Sequence, residues 1–234
     1  MKKLLLVIVL FNLVSCAELQ QVVNQLPQSG AVLSNQEIAN GLTAALNQGV
    51  QKQVSKLTLK DGYYKNELVK ILLPEELQKV DNTLRKIGLG NLADEGLKAI
   101  NRAAEDAVGE ATPIFVNAIT NMSFTDAKNI LVGADNAATQ YLTANTETAL
   151  YNKFNPVIKN SFSKVGADKI WTQLITKYNN IPLVQPVNPD LTDYVTQQAL
   201  EGVFTMIAVE EKEIRNKVSS RSTDLLKKVF ALQD

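Results

Sequence analysis

The chain has no histidine among its 234 residues. That absence excludes Ser–His–Asp and Cys–His nucleophilic systems, paired-histidine zinc sites and imidazole-ligated haem. Cysteine is nearly absent too. Cys16 is the only one, so neither an intramolecular disulfide nor a cysteine-based metal site can form. Neither sign of charge is in excess, with 24 basic and 24 acidic side chains. A neutral chain has no broad electrostatic reason to seek nucleic acid or anionic lipid headgroups. We therefore expect no nucleic-acid partner and no cofactor. Strand-like alternation of apolar and polar residues is missing as well.

One long apolar run is present, and it lies at the start. Lys2 and Lys3 precede Leu4 to Phe11, a length within the roughly 7–15 residues of a signal-peptide core and short of the ~20 that a spanning helix needs. The run closes on Leu13-Val14-Ser15-Cys16. An aliphatic residue three positions before the cysteine and a small one just before it resemble the lipobox of bacterial lipoproteins. The resemblance implies cleavage after Ser15 and a diacylglyceryl group on the Cys16 sulfur, which makes the membrane a partner through lipid. Each buried acyl methylene contributes about 0.8 kcal/mol, and two or three chains anchor stably. Ala17, not an aspartate, follows the cysteine. This resembles the sorting pattern of outer-membrane lipoproteins, so the expected place is the cell envelope, at the outer membrane facing the periplasm. The expected organisation is a leader over 1–15, a lipidated start and tether over 16–32, and one helical domain over 33–234. Without the leader 219 residues remain, with 22 basic against 24 acidic side chains. That length supports one sizeable core.

The rest of the chain reads as all-α, a single domain of about eight to ten helices. Ser34 with Glu37 is a capping-box pattern, and Ile38, Leu42, Ala45, Leu46 and Gly49 follow at helical spacing. Asp61-Gly62 breaks that helix. Pro74 with Glu75 and Glu76 opens the next; its stripe is Leu77, Val80, Leu84 and Ile87, with Gly88 as a left-handed stop. Leu97, Ile100, Ala104, Val108, Ala111 and Phe115 share one face, which Pro113 kinks or splits. Thr125-Asp126 caps a short helix ending at Gly133. Ala134 to Asn145, Thr146 to Lys164 (with Pro156 as an interruption) and Ala167 to Tyr178 read as three more. Asn179 to Pro189 is a loop with three prolines. Asp190 caps a helix whose stripe is Leu200, Val203, Phe204, Ile207, Ile214 and Val218, with Glu211–Arg215 and Glu213–Lys217 as i,i+4 pairs. A last amphipathic helix starts near Ser222.

Several stretches, in order along nearly the whole domain, resemble the bacterial family known as domain of unknown function 4197. They include Leu33-Ser34-Asn35-Gln36-Glu37-Ile38, Asn101-Arg102-Ala103-Ala104-Glu105, Asp126-Ala127-Lys128-Asn129-Ile130-Leu131, Asp193-Tyr194-Val195-Thr196 and Arg221-Ser222-Thr223-Asp224-Leu225-Leu226. The resemblance implies an exported, often lipidated helical protein. It implies no activity and no catalytic residues.

Motifs for chemistry are weak. Gly88-Leu89-Gly90-Asn91-Leu92-Ala93 fits a dinucleotide fingerprint, but no strand precedes it. Ser161-Phe162-Ser163-Lys164 is a Ser-x-x-Lys without its usual companion motifs. More informative are Glu210 and Glu211, which at 100° per residue fall within the arc of Ile207 and Ile214. Asn101 sits similarly beside Leu97, Ala104 and Val108. An inward carboxylate needs a cationic or hydrogen-bonding partner. The candidate polar cluster is Asn101, Arg102, Glu105, Asp193, Tyr194, Glu210, Glu211 and Arg215. Two readings stand: a pocket for a small ligand or cation, or a buried network fixing helix register. They carry two functions, a non-enzymatic envelope module binding a protein partner or small ligand, and a carboxylate-dependent hydrolase or metal-assisted enzyme using Glu210 and Glu211.

Overall fold

Apolar stripes at helical spacing, with no competing strand pattern, produce a wholly helical domain. In the computed structural model, residues 33–86, 88, 90–180, 186 and 190–232 are described. The segments expected as leader and tether, and most of the stretch expected as a proline loop, lie outside the described residues. Backbone contacts divide the chain into Met1–Ser34 and Asn35–Asp234, and every described helix belongs to the second unit. Among the described residues there are nine α-helices and no strands: α1 (Asn35–Leu57), α2 (Glu75–Lys86), α3 (Gly90–Val108), α4 (Ala111–Thr120), α5 (Phe124–Val132), α6 (Ala137–Val165), α7 (Ala167–Asn179), α8 (Thr192–Asn216) and α9 (Asp224–Phe230). None is long and apolar enough to cross a membrane.

The helices meet on two long central ones. α6 packs on α3, α4, α5, α7 and α8, while α8 also packs on α1 and α3. α1 touches α4, α5 and α9 on its remaining sides. The core between them contains Leu42, Ile100, Phe115, Leu142, Phe154, Ile158, Val203 and Phe204, all buried. Phe115 and Phe204 meet edge to face with centroids 5.9 Å apart. Two close approaches require glycine. A Cβ on Gly202 would lie 2.6 Å from the Tyr63 ring, and one on Gly96 would lie 2.5 Å from the Trp171 ring.

Several boundaries differ from the sequence reading, each for a physical reason. Ala134 to Lys164 is not two helices, because α6 runs unbroken for 29 residues with Pro156 inside it. The helical hydrogen bond lost at Pro156 is offset by one continuous buried stripe, Leu142, Thr146, Leu150, Phe154, Ile158 and Phe162. The long stripe from Leu97 to Phe115 divides at Gly109-Glu110, before Pro113, which then sits in the first turn of α4. The α5 cap is Ser123, not Thr125-Asp126. Its hydroxyl accepts from Asp126 N, and the Asp126 carboxylate accepts from Ser123 N. Val218 leaves the α8 stripe for a short 3-10 turn and is exposed. Gly88, at φ 82°, makes the left-handed turn between α2 and α3. Leu84, Ile87 and Leu89 have side chains outside the described set.

Candidate functional site

The eight residues of the predicted cluster are distributed over three places. Asp193 and Glu210 lie on the same helix but 17 residues apart, about 25 Å at the α-helical rise.

The first place is the inner end of α8. Glu210 and Glu211 are buried. Glu211 Oε1 accepts from Ala138 N at 2.9 Å and from Arg215 Nη2 at 2.8 Å and Nε at 3.0 Å. Its Oε2 accepts from Thr139 N and Thr139 Oγ1, both at 2.8 Å. The carboxylate thus takes up free amides at the start of α6, where the helix end is positive. Arg215 in turn donates to Ile130 O at 2.7 Å and Leu131 O at 3.2 Å, at the negative end of α5. One ion pair joins the tail of one helix to the head of the next. Glu210 faces α1: Lys52 Nζ donates to Oε1 at 2.5 Å and Gln53 Nε2 to Oε2 at 2.6 Å. Arg221 closes α8 itself, donating to Ile214 O at 3.0 Å and Arg215 O at 2.8 Å. The guanidinium carbons of Arg215 and Arg221 lie 5.9 and 5.8 Å from the Phe230 ring centroid. The cavity beside the two glutamates, bounded by Leu46, Gly49, Ile207 and Phe230, holds about 20 Å³. That is room for one water.

The second place is α3, where Asn101, Arg102 and Glu105 hold the irregular segment between α1 and α2. Glu105 Oε1 accepts from Tyr63 N at 3.1 Å and Tyr64 N at 3.3 Å, and Oε2 accepts from Asp61 N at 3.3 Å. Arg102 bridges Glu105 and Asp61. Asp61 has φ 73°, in the left-handed region, which costs an L-residue roughly 1–2 kcal/mol. Its bond with Lys65, then its charge pairing with Arg102 and Lys65, holds its carboxyl below the usual range despite some desolvation. Asn101 pairs both ways with Ile71, accepting from Ile71 N and donating to Ile71 O, each at 2.9 Å. Tyr63 is fully buried, and its hydroxyl donates to Ala199 O at 2.7 Å. Burial first, and then the Glu105 charge, push that hydroxyl well above its ordinary pKa.

The third place is the outer end of α8. Asp193 is exposed and accepts from Tyr151 Oη at 2.6 Å. That bond raises the Tyr151 pKa. Tyr194 donates to Leu72 O at 2.9 Å. Sequence reasoning did not find Gln53, although the same signal marked it: a polar residue on the buried face of α1, between Val50 and Val54. It also did not find Thr139, whose partner stands 72 residues away. Asp190 is not the α8 cap: Leu191 holds that position without a side-chain cap bond, and Asp190, one residue earlier, accepts from Thr192 N at 2.9 Å. Ser161 donates to Asp106 at 2.8 Å, and Lys164 is exposed. Among the described residues, no three Asp, Glu or Cys side chains gather as a metal site would require.

From Thr139 in the first place to Tyr151 in the third, an open groove of about 760 Å³ runs between α6 and α8. Its floor is Leu200, Phe204 and Ala208; its walls carry Thr143, Thr148, Thr205, Glu147 and Glu201, with no lysine or arginine.

A family model for proteins of unknown function, DUF4197, matches residues 32–231. The chain belongs to the DUF4197 family. No curated protein and no solved structure matches it. The DUF4197 assignment carries no activity, so function rests on the geometry above.

Proposed function

We propose that this DUF4197 protein is a non-enzymatic binding module, lipid-anchored in the cell envelope through Cys16, with the α6–α8 groove as its binding surface. One observation carries the choice over the hydrolase reading. All four oxygens of Glu210 and Glu211 are engaged by the chain's own donors, and the hollow beside them has room for one water. A general acid or metal ligand needs an oxygen turned toward substrate. The groove is open, apolar at its floor and acidic at its walls, which suits a ligand with an apolar body and hydroxyl or cationic groups. The leader ending at the sole cysteine supports the anchor.

Two measurements test this reading. Cells fed radiolabelled fatty acid should label the wild-type chain and not the Cys16→Ala variant, which should keep its leader; normal maturation of that variant would remove the anchor. A photo-crosslinker at Thr205, in the groove, should trap a ligand in intact cells that the same probe at exposed Asn129 does not. Equal capture at both positions would remove the groove.

A further inference from the structure

The chain is neutral on average, but the segment from Lys52 to Leu72 is not. It carries Lys52, Lys56, Lys60, Lys65 and Lys70 against Asp61 and Glu67. Asp61 is engaged by Arg102 and Lys65, and Lys52 by Glu210. Lys56 and Lys60 are exposed with no acidic partner among the described residues. Leu59, Leu68 and Leu72 are 64%, 64% and 56% exposed. Three of the seven large apolar side chains most open to water, among the described residues, therefore fall within fourteen consecutive positions.

The segment is also fixed in place. Glu105 takes its amides at residues 61, 63 and 64, and Asn101 pairs with Ile71. Tyr63, Val69 and Ile71 are buried beneath it. Lys70 Nζ sits 5.0 Å from the Tyr64 ring centroid, and Tyr64 is half-buried. Leucines held outward by a stapled backbone lose little freedom when they bind.

We infer that this surface binds an anionic phospholipid bilayer. Leucines interleaved with lysines suit a fluid interface: the acyl boundary takes each aliphatic side chain separately while the ammonium groups meet phosphates. A tyrosine at the edge belongs at headgroup level. The surface needs no acyl anchor to act. It would set which face of the domain lies on the membrane.

The test uses the chain from residue 16 onward with Cys16→Ser, so that no lipid is attached. It is sedimented with vesicles of phosphatidylcholine alone or mixed with phosphatidylglycerol. Binding to the anionic vesicles should be at least ten-fold stronger, and should fall as salt rises from about 0.1 to 1 M and the Debye length shrinks from about 10 to 3 Å. Lys56→Glu with Lys60→Glu should lose at least ten-fold with Tm unchanged, and Leu68→Ser with Leu72→Ser several-fold. Equal binding to both vesicles, none to either, or full binding by the charge-reversed chain would overturn the inference. So would burial of a fluorescent label at position 68 by an envelope protein and not by vesicles. Missing acylation at Cys16 in cells would leave this result untouched, and a negative vesicle result would leave the anchor untouched.

Discussion

Glu105 and Glu211 are built alike and organise different things. Each is a buried carboxylate paired with an arginine on its own helix, Arg102 three residues before and Arg215 four residues after. Each accepts backbone amides from a distant part of the chain. Glu211 takes its amides from the first turn of α6, so its pair joins regular elements end to end. Glu105 takes them from irregular chain at residues 61–64, so its pair fixes the shape of a surface segment. A buried acid–arginine pair next to free backbone donors is a joint, and what it joins decides whether its loss is felt throughout the fold or in one place.

The largest effect should come from Glu211→Ala, which leaves the Arg215 charge buried without its carboxylate. It should cost about 3–5 kcal/mol and lower Tm on the order of 10 °C, as read by calorimetry. Glu105→Ala should cost less, about 2–3 kcal/mol, because Arg102 is partly exposed and keeps Asp61 as its partner. It should also speed tryptic cleavage after Lys60 and Lys65, which are already exposed but lie on a backbone that Glu105 holds. A change as large and as global as that of Glu211→Ala would erase the distinction between the two joints.

Gly202→Ala sharpens the comparison from the packing side. The added methyl meets the Tyr63 ring, and overpacking of that kind costs about 1–3 kcal/mol; equilibrium unfolding in urea should report it. The smallest effect concerns pH. Asp61 has a carboxyl held below its ordinary value by Lys65 and Arg102. Its contribution is complete above the unfolded pKa of about 3.9 and is lost as pH falls through the lowered folded value. Trypsin-independent probes of the segment, such as a label at Leu68, should loosen in that acid window. Asp61→Asn should remove the pH response.

Much of this was legible in the sequence because it is local. The α1 and α8 stripes, the Pro74 entry to α2, the Gly88 stop and both i,i+4 pairs of α8 follow from residues within one or two turns of each other. So does the inward aim of Glu210 and Glu211, which needs only the helical angle. What those acids hold was not legible. Lys52 and Gln53 stand 158 and 157 residues from Glu210, and no local rule links them. α6 misled for a related reason: Pro156 is a local argument for a break, and the buried stripe that overrides it is a tertiary one. The candidate cluster grouped residues by burial and charge, whereas the fold assigns Asn101, Arg102 and Glu105 to one joint and Glu211 and Arg215 to another.

Amide hydrogen exchange in Glu105→Gln and Glu211→Gln, each read against the wild-type chain, tests the two-joint account most directly. Glu105→Gln should speed exchange at Tyr63 and Tyr64 at least ten-fold more than at Ala138 and Thr139, and Glu211→Gln should do the reverse. If both variants loosened the same amides equally, or neither loosened any, these glutamates would not be the separate joints described.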